Sequence, residues 1–296
     1  MVMRNTIIVL LALVLLIAGC VQPSGGTPGT VVNVTQNGTG GTITPPTQPP
    51  TVNVTLNQTT TTNGTQTPAP KPPSQEVSYI TGDSWKILGT FYASKSAIPK
   101  SGIILLHQVG SDRSSFDSLV PVLHESIPDA DILAIDLRGH GRSTNLGTYS
   151  KFISGDYRAM TNDVKGAVSY LSFFRHVSDN FYVVGASVGS SVAINYADQD
   201  SAIQRIVMLS PGMDYEGVDI NNALGKVRKK VYFVAANEDE QSATDVQAAY
   251  QISNAYTKEV YVYKSIGAAH GTDMLTASAT SKTEEPLATK IANWLK

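Results

Sequence analysis

Residues 181–197 read FYVVGASVGSSVAINYA. Phe181 to Val184 is a β-branched and aromatic run of the kind that fills a buried strand. It breaks into Gly185-Ala186-Ser187-Val188-Gly189, and small and apolar residues follow from Val188 to Ala197 with the composition of a helix start. The pattern G-x-S-x-G is weak by itself: with glycine near 7% and serine similar, roughly one sequence in ten of this length carries a match by chance. Its setting is the informative part. A strand that turns sharply into a helix at a serine, with glycines making room on both sides, lifts the hydroxyl above a sheet as an exposed nucleophile. A serine that merely capped the helix would not need both glycines.

Outward from this point, strands and helices alternate. VSYITGDSWKILGTFYAS, residues 77–94, predicts two strands around Gly82-Asp83. GIILLH (102–107), DILAID (131–136), RIVMLS (205–210), KVYFVAA (230–236) and EVYVYKSI (259–266) are further strands. Helical spacing predicts helices over 114–125, 156–174, 188–197, 242–256 and 283–296. In the second of these, Met160, Val164, Ala167, Val168 and Leu171 share a face. Alternation with short links implies a mainly parallel sheet covered on both faces, with ligands bound beyond the carboxyl ends of its strands.

A serine hydroxyl needs a base to take its proton. Of five histidines, His124 lies on a predicted helix beside Glu125 and is expected to face solvent. His176 stands where a helix ends, a place that suits a cation. His107 and His140 follow strands but precede the serine in the chain. His270, in SIGAAHGTDML after the last strand, is carried by a small-residue loop that can lie over Ser187. The base in turn needs a carboxylate to fix its tautomer. Glu238, Asp239 and Glu240 follow the strand 230–236, between serine and histidine in the chain; Asp239 is the expected partner and Glu238 the alternative.

The order Ser187, Asp239, His270 is that of the α/β-hydrolases, and residues 76–296 resemble that fold throughout. LLHQVGSDRSSFDSLVPVL is similar to the family's HGxG segment after its third strand, and DILAIDLRGHGRS to its D-x-R-G-H-G-x-S loop after the fourth. The resemblance implies an eight-stranded, mostly parallel sheet with an antiparallel hairpin at its N-terminal side. It also implies oxyanion donors at the backbone N–H groups of Val109 and Val188. Gln108 stands where HGxG has its first glycine, so its side chain is a further candidate for that role. By the same resemblance Arg138 pairs with a carboxylate and His140 is structural. Only Pro211 to Lys230 separates the sixth and seventh strands, the family's usual place for a lid, so no large cap is expected.

The first 75 residues differ in kind. MVMRNTIIVLLALVLLIAGC places Arg4 before an apolar run, Ile7 to Ala18, as a signal peptide does. Ile17-Ala18-Gly19-Cys20 resembles a lipobox, with Cys20, the single cysteine, as the lipidated residue; an uncleaved anchor helix is the alternative. Residues 21–75 are rich in Thr, Pro, Asn and Gly and nearly uncharged, which reads as a disordered stalk reaching on the order of 40 Å. Sequons begin at Asn33, Asn37, Asn53, Asn57 and Asn63, either as glycosylation sites or as a product of composition. Both readings of the N-terminus place the rest of the chain outside the cell.

The composition, 42% hydrophobic and 16% charged with net charge −2, gives no support to nucleic-acid binding, which needs a basic face. No metal or other cofactor is implied, because apart from the triad no cluster has ligand spacing. The expected activity is acyl transfer to water from a small ester or peptide-like substrate. A peptidase, an acyltransferase and a surface binding protein without chemistry are the other classes this fold accommodates.

Overall fold

The structure, a computed structural model, describes residues 70–277 and 284–296 together with a two-residue strand, Val32–Asn33. The expected signal segment with Cys20, and Asn37, Asn53, Asn57 and Asn63, lie outside the described residues. Among those described, no helix is long and apolar enough to cross a membrane.

Eight strands build the main sheet: β1 (Gln75–Ile80), β2 (Lys86–Tyr92), β3 (Ser101–Leu106), β4 (Ala130–Ile135), β5 (Phe181–Ala186), β6 (Ile203–Leu209), β7 (Lys230–Ala236) and β8 (Thr257–Tyr263). Their order is β1-β2-β4-β3-β5-β6-β7-β8, with Val32–Asn33 paired antiparallel to the outer edge of β1. From β4 across to β8 the strands run parallel. The expected hairpin of β1 and β2 is antiparallel, and β2 joins β4 antiparallel, Gly89 facing Ile135 and Tyr92 facing Ile132. This is the α/β-hydrolase fold.

Every residue of β3, β4 and β5 is buried, as a strand covered on both faces requires. Alternate residues serve two cores. Ile104, Leu106 and Val183 meet α3 (Thr161–Arg175), α4 (Val188–Gln199), α5 (Asn221–Lys226) and α6 (Glu240–Ile252) on one face. Ile103, Leu105 and Val184 meet α1 (Val120–Ser126) and α7 (Leu287–Leu295) on the other. The predicted face of α3, Met160 through Leu171, is buried as expected.

Two of the expected helices are each broken into two pieces. The helix expected over 114–125 is a 3-10 turn, Arg113–Phe116, followed by α1. Pro121, in the first turn of α1, has no N–H to continue a bond back to residue 117, so the two pieces cannot fuse. The long helix expected over 156–174 is a short α2 (Ser154–Arg158) and then α3. Between them Asn162 and Asp163 donate to carbonyls three residues back, Ala159 and Met160. This turn aims the fully buried Asp163 carboxylate at Arg138.

Arg138 does pair with a carboxylate, and with two. Its Nη1 reaches Asp83 Oδ2 at 2.6 Å and its Nη2 reaches Asp163 Oδ1 at 2.7 Å. Burial pushes the Asp163 carboxyl up to about 6 against the pull of Arg138. At Asp83 burial also opposes the charge, but the guanidinium and Thr81 override it and hold the group at about 2. One cation thus ties the turn of the N-terminal hairpin to α3 and to the loop after β4.

Contacts of the fold extend a few residues ahead of Glu76. Gln75 is already paired with Phe91, and Lys71 Nζ reaches Asp117 Oδ1 at 2.6 Å.

Candidate active site

Ser187 stands between β5 and α4 with φ 50 and ψ −117. A non-glycine residue in this region costs about 1–3 kcal/mol and persists only where the surroundings impose it. Here the neighbours do so. Ser187 N donates to Leu209 O at 2.8 Å, and the carbonyl of Ser187 accepts from Ser190 N at 2.9 Å. The flanking glycines are a packing requirement: a Cβ on Gly185 would lie 2.3 Å from Gly189 O, and one on Gly189 would lie 2.4 Å from Leu106 O. The turn from strand to helix is therefore pressed against the end of β3, and only hydrogen atoms fit there.

Nearby hydroxyls are already engaged. Ser190 Oγ donates toward two carbonyls, Gly185 O at 2.7 Å and Leu209 O at 3.0 Å. Ser191 Oγ meets Gly212 O at 3.5 Å. Ser187 Oγ has no such partner among the described residues and opens into a cavity of about 370 Å³ that His270 and Asp239 also line.

His270 follows β8 and precedes a 3-10 turn, Gly271–Leu275. Its Nδ1 lies 2.7 Å from Asp239 Oδ2. Asp239 is the residue immediately before α6, so its carboxylate sits at the carboxyl end of β7, across from β8. Glu238 is exposed and makes no bond to the histidine; of the two expected carboxylates, Asp239 is the one that reaches it. With Nδ1–H donating to the carboxylate, Nε2 is left free to accept a proton. Ser242, in the first turn of α6, approaches the same Nδ1 at 3.4 Å.

The remaining candidates lie on the loop after β3 and at the start of α4. The backbone N–H groups of Val109 and Val188 have no acceptor among the described residues. Val188 is the first residue of α4, where an N–H has no helical partner. Gln108 Oε1 accepts from Thr272 N at 3.0 Å and from Thr272 Oγ1 at 2.6 Å. Ser210, after β6, accepts from Gly271 N through its Oγ at 3.0 Å. Neither Ser210 nor Thr272 stood out in the sequence; the only signal for Ser210 is its place directly after a strand, on the edge where ligands bind.

The other histidines do not line the cavity of Ser187. His107 is fully buried, its Nδ1 donating to Gln108 O at 2.7 Å and its Nε2 accepting from Leu137 N at 3.0 Å. Burial lowers its pKa to about 3, so it is neutral. His140 donates from Nδ1 to Arg138 O at 2.9 Å and stacks on Tyr149, centroids 4.3 Å apart. Its buried Nε2 has no partner among the described residues. His124 is half-buried rather than solvent-facing, because its Nε2 reaches Ala93 O at 2.9 Å. His176 caps α3 in a left-handed conformation and is exposed.

Between β6 and β7 the chain holds a small hairpin, Asp214–Tyr215 against Val218–Asp219, and the six-residue α5. Met213, Asp214 and Tyr215 of this segment line the cavity opposite Gln241 and Asp245 of α6. A larger cleft, about 630 Å³ beside Lys95, Lys100 and Asn180, opens at the amino ends of the strands, the opposite end from Ser187. Among the described residues no group of His, Cys, Asp and Glu is placed to hold a metal ion.

Comparison with known proteins agrees with this architecture. The model of the family described as serine aminopeptidase, S33 (Hydrolase_4), matches residues 97–290. An esterase of Pyrococcus furiosus is 20% identical and superposes with a TM-score of 0.62, over 79% of this chain and 94% of its own. A dienelactone hydrolase of Anabaena variabilis is 18% identical with a TM-score of 0.56, over 75% of this chain and 94% of its own. Acetyl xylan esterase 1 of a Thermoanaerobacterium species is 14% identical with a TM-score of 0.56, over 66% and 78%. No curated protein matches the sequence.

Proposed function

The chain belongs to the serine aminopeptidase S33 family of hydrolases, and from that premise we propose that it cleaves carboxylic esters through an acyl-enzyme on Ser187. The observation that carries the reading is the contact of His270 Nδ1 with Asp239 Oδ2 at 2.7 Å, in one cavity with a strained and unengaged serine. Asp239 holds the imidazole so that Nε2 faces the cavity and stabilises the cation formed when Nε2 takes the Ser187 proton. Ser187 Oγ then bonds to the substrate carbonyl carbon. The developing oxyanion is met by the Val109 and Val188 N–H groups, both without an acceptor among the described residues. Collapse expels the alcohol, protonated by His270; water, activated by the same Nε2, releases the acid and restores the serine. The short segment over the cavity leaves the site open, which suits small acyl groups.

A second reading has a specific observation in its favour. Asp214 and Asp245 line the cavity mouth, and a carboxylate there suits the ammonium group of an aminoacyl amide. Assaying the full chain on p-nitrophenyl acyl esters and aminoacyl p-nitroanilides separates the two. Faster turnover of short neutral esters is expected; preference for aminoacyl amides would reverse the assignment, and turnover of neither would remove both.

We also propose that the chain is exported and held at the outer face of the membrane by a lipid on Cys20, with a glycosylated stalk between anchor and domain. The lipobox-like Ile17-Ala18-Gly19-Cys20 and the sequons support this. Cys20→Ser is expected to shift the protein from the membrane fraction to the medium, or to leave an unprocessed precursor. Retention at unchanged size would favour the uncleaved helix.

A further inference from the structure

Gln108 occupies the position where a glycine was expected, and its side chain does something a glycine cannot. We propose that Gln108 is a positioning residue whose side-chain oxygen braces the loop that carries His270 over Ser187. The proposal rests on the serine-hydrolase reading above and assigns the amide a role distinct from that of an oxyanion donor.

The orientation of the amide follows from its partners. Thr272 N can only donate, so the atom 3.0 Å from it is the oxygen of Gln108, and the Thr272 hydroxyl completes the pair at 2.6 Å. It is thus the amide oxygen that faces the His270 loop. Thr272 is 2% exposed and lies two residues beyond His270. Its two donors are met at one acceptor, contributed by a residue 164 positions earlier in the chain.

Gly271, between His270 and Thr272, explains why this contact governs the histidine. It is left-handed, with φ 57, and a Cβ there would lie 2.9 Å from Gln108 Oε1 and 3.3 Å from Ala186 Cβ. The loop is thus seated between the Gln108 amide and the residue preceding Ser187. A second contact holds its other side: Gly271 N donates to Ser210 Oγ at 3.0 Å, while Ser210 N donates to Val234 O at 2.8 Å.

The anchor is itself fixed. The Gln108 carbonyl accepts from His107 Nδ1, and His107 Nε2 accepts from Leu137 N in the loop after β4. A neutral imidazole satisfies both bonds at once, one nitrogen donating and the other accepting. Loops after β3, β4, β6 and β8 are in this way linked around the histidine, and Gln108 is the side chain that carries the loop after β3 across to the loop bearing His270 by hydrogen bonds among the described residues.

A brace needs acceptor oxygens; an oxyanion donor needs the N–H. Gln108→Glu keeps the first and abolishes the second, whereas Gln108→Leu removes both. The full chain is assayed with a p-nitrophenyl ester across pH, and kcat and KM are read on the plateau. For Gln108→Leu, kcat is expected to fall by about 10²-fold, the scale of a slightly misplaced catalytic group, with KM little changed. Gln108→Glu should recover about tenfold or more of that loss, on the same scale. Thr272→Val, which keeps the N–H but loses the hydroxyl, should lower kcat, and Thr272→Ser should restore it. A thermal melt of each variant separates misplacement from unfolding, and if Gln108→Leu does not fold, the Thr272 pair decides. The brace is overturned if Gln108→Glu is as damaging as Gln108→Leu, or if neither Gln108→Leu nor Thr272→Val lowers kcat. Labelling of the unaltered protein by a fluorophosphonate tests the underlying reading separately: no label at Ser187 removes the serine mechanism, while label without an effect of these substitutions removes only the brace.

Discussion

Ser187→Ala is expected to abolish labelling by a fluorophosphonate and to lower ester hydrolysis by as much as about 10⁶-fold, the scale on which loss of a triad nucleophile acts. The label forms only where a serine oxygen is activated beside donors that receive the phosphonyl oxygen. Ser190→Ala is expected to keep the label. Its hydroxyl already donates toward Gly185 O and Leu209 O, deep in the turn and away from any base. His270→Ala should lose about as much as Ser187→Ala, and the double variant should be no worse than either alone, because nucleophile and base act as a unit. Labelling followed by peptide mapping gives the site directly. Full hydrolysis by Ser187→Ala would leave Ser187 as a strained residue in a bend and nothing more.

Asp239→Asn is expected to lower kcat by about 10⁴-fold. The amide presents a donor where Nδ1–H needs an acceptor, so it favours the tautomer with its proton on Nε2, the nitrogen that must be free. Glu238→Gln changes the charge of the adjacent residue by the same amount, yet its side chain is exposed and unconnected to His270. It should leave kcat close to that of the unaltered protein. The comparison isolates geometry from charge: if the two variants lose activity equally, a general electrostatic effect of the acidic turn is responsible, and the 2.7 Å contact is not.

The strands were legible because each is a short apolar run bounded by turn residues. Their sequence of alternation with helices fixes a parallel sheet with few topologies to choose from. The elbow was legible for a related reason, since Gly185 and Gly189 mark a packing constraint that lies within five residues of chain. Where partners are distant, the sequence is silent. Nothing local separates Asp239 from Glu238; the choice depends on which carboxylate faces β8 after α6 begins. The contact of Gln108 with Thr272 and the fold of His124 onto Ala93 O are likewise properties of assembled loops. The breaks in the expected helices had partial signals. Pro121 is one, masked by the good apolar spacing around it. The break before Thr161 has its reason in Arg138, whose buried charge needs Asp163 at a place a continuous helix would not put it.

The hairpin register has a consequence for handling the protein. Gln75 lies opposite Phe91, and Tyr92 opposite Ile132, so the chain joins the sheet at the amino ends of the parallel strands. Lys296 O and Trp294 O are held by Arg205, near the start of β6, at the same end. Ser187, Asp239 and His270 all follow carboxyl ends. Gln75 and Lys296 therefore both lie on the side away from the cavity. Beads, electrodes or fusion partners joined ahead of Gln75 or behind Lys296 leave the mouth facing the solution, whereas cross-linking through the loops after β6 or β8 would seal it.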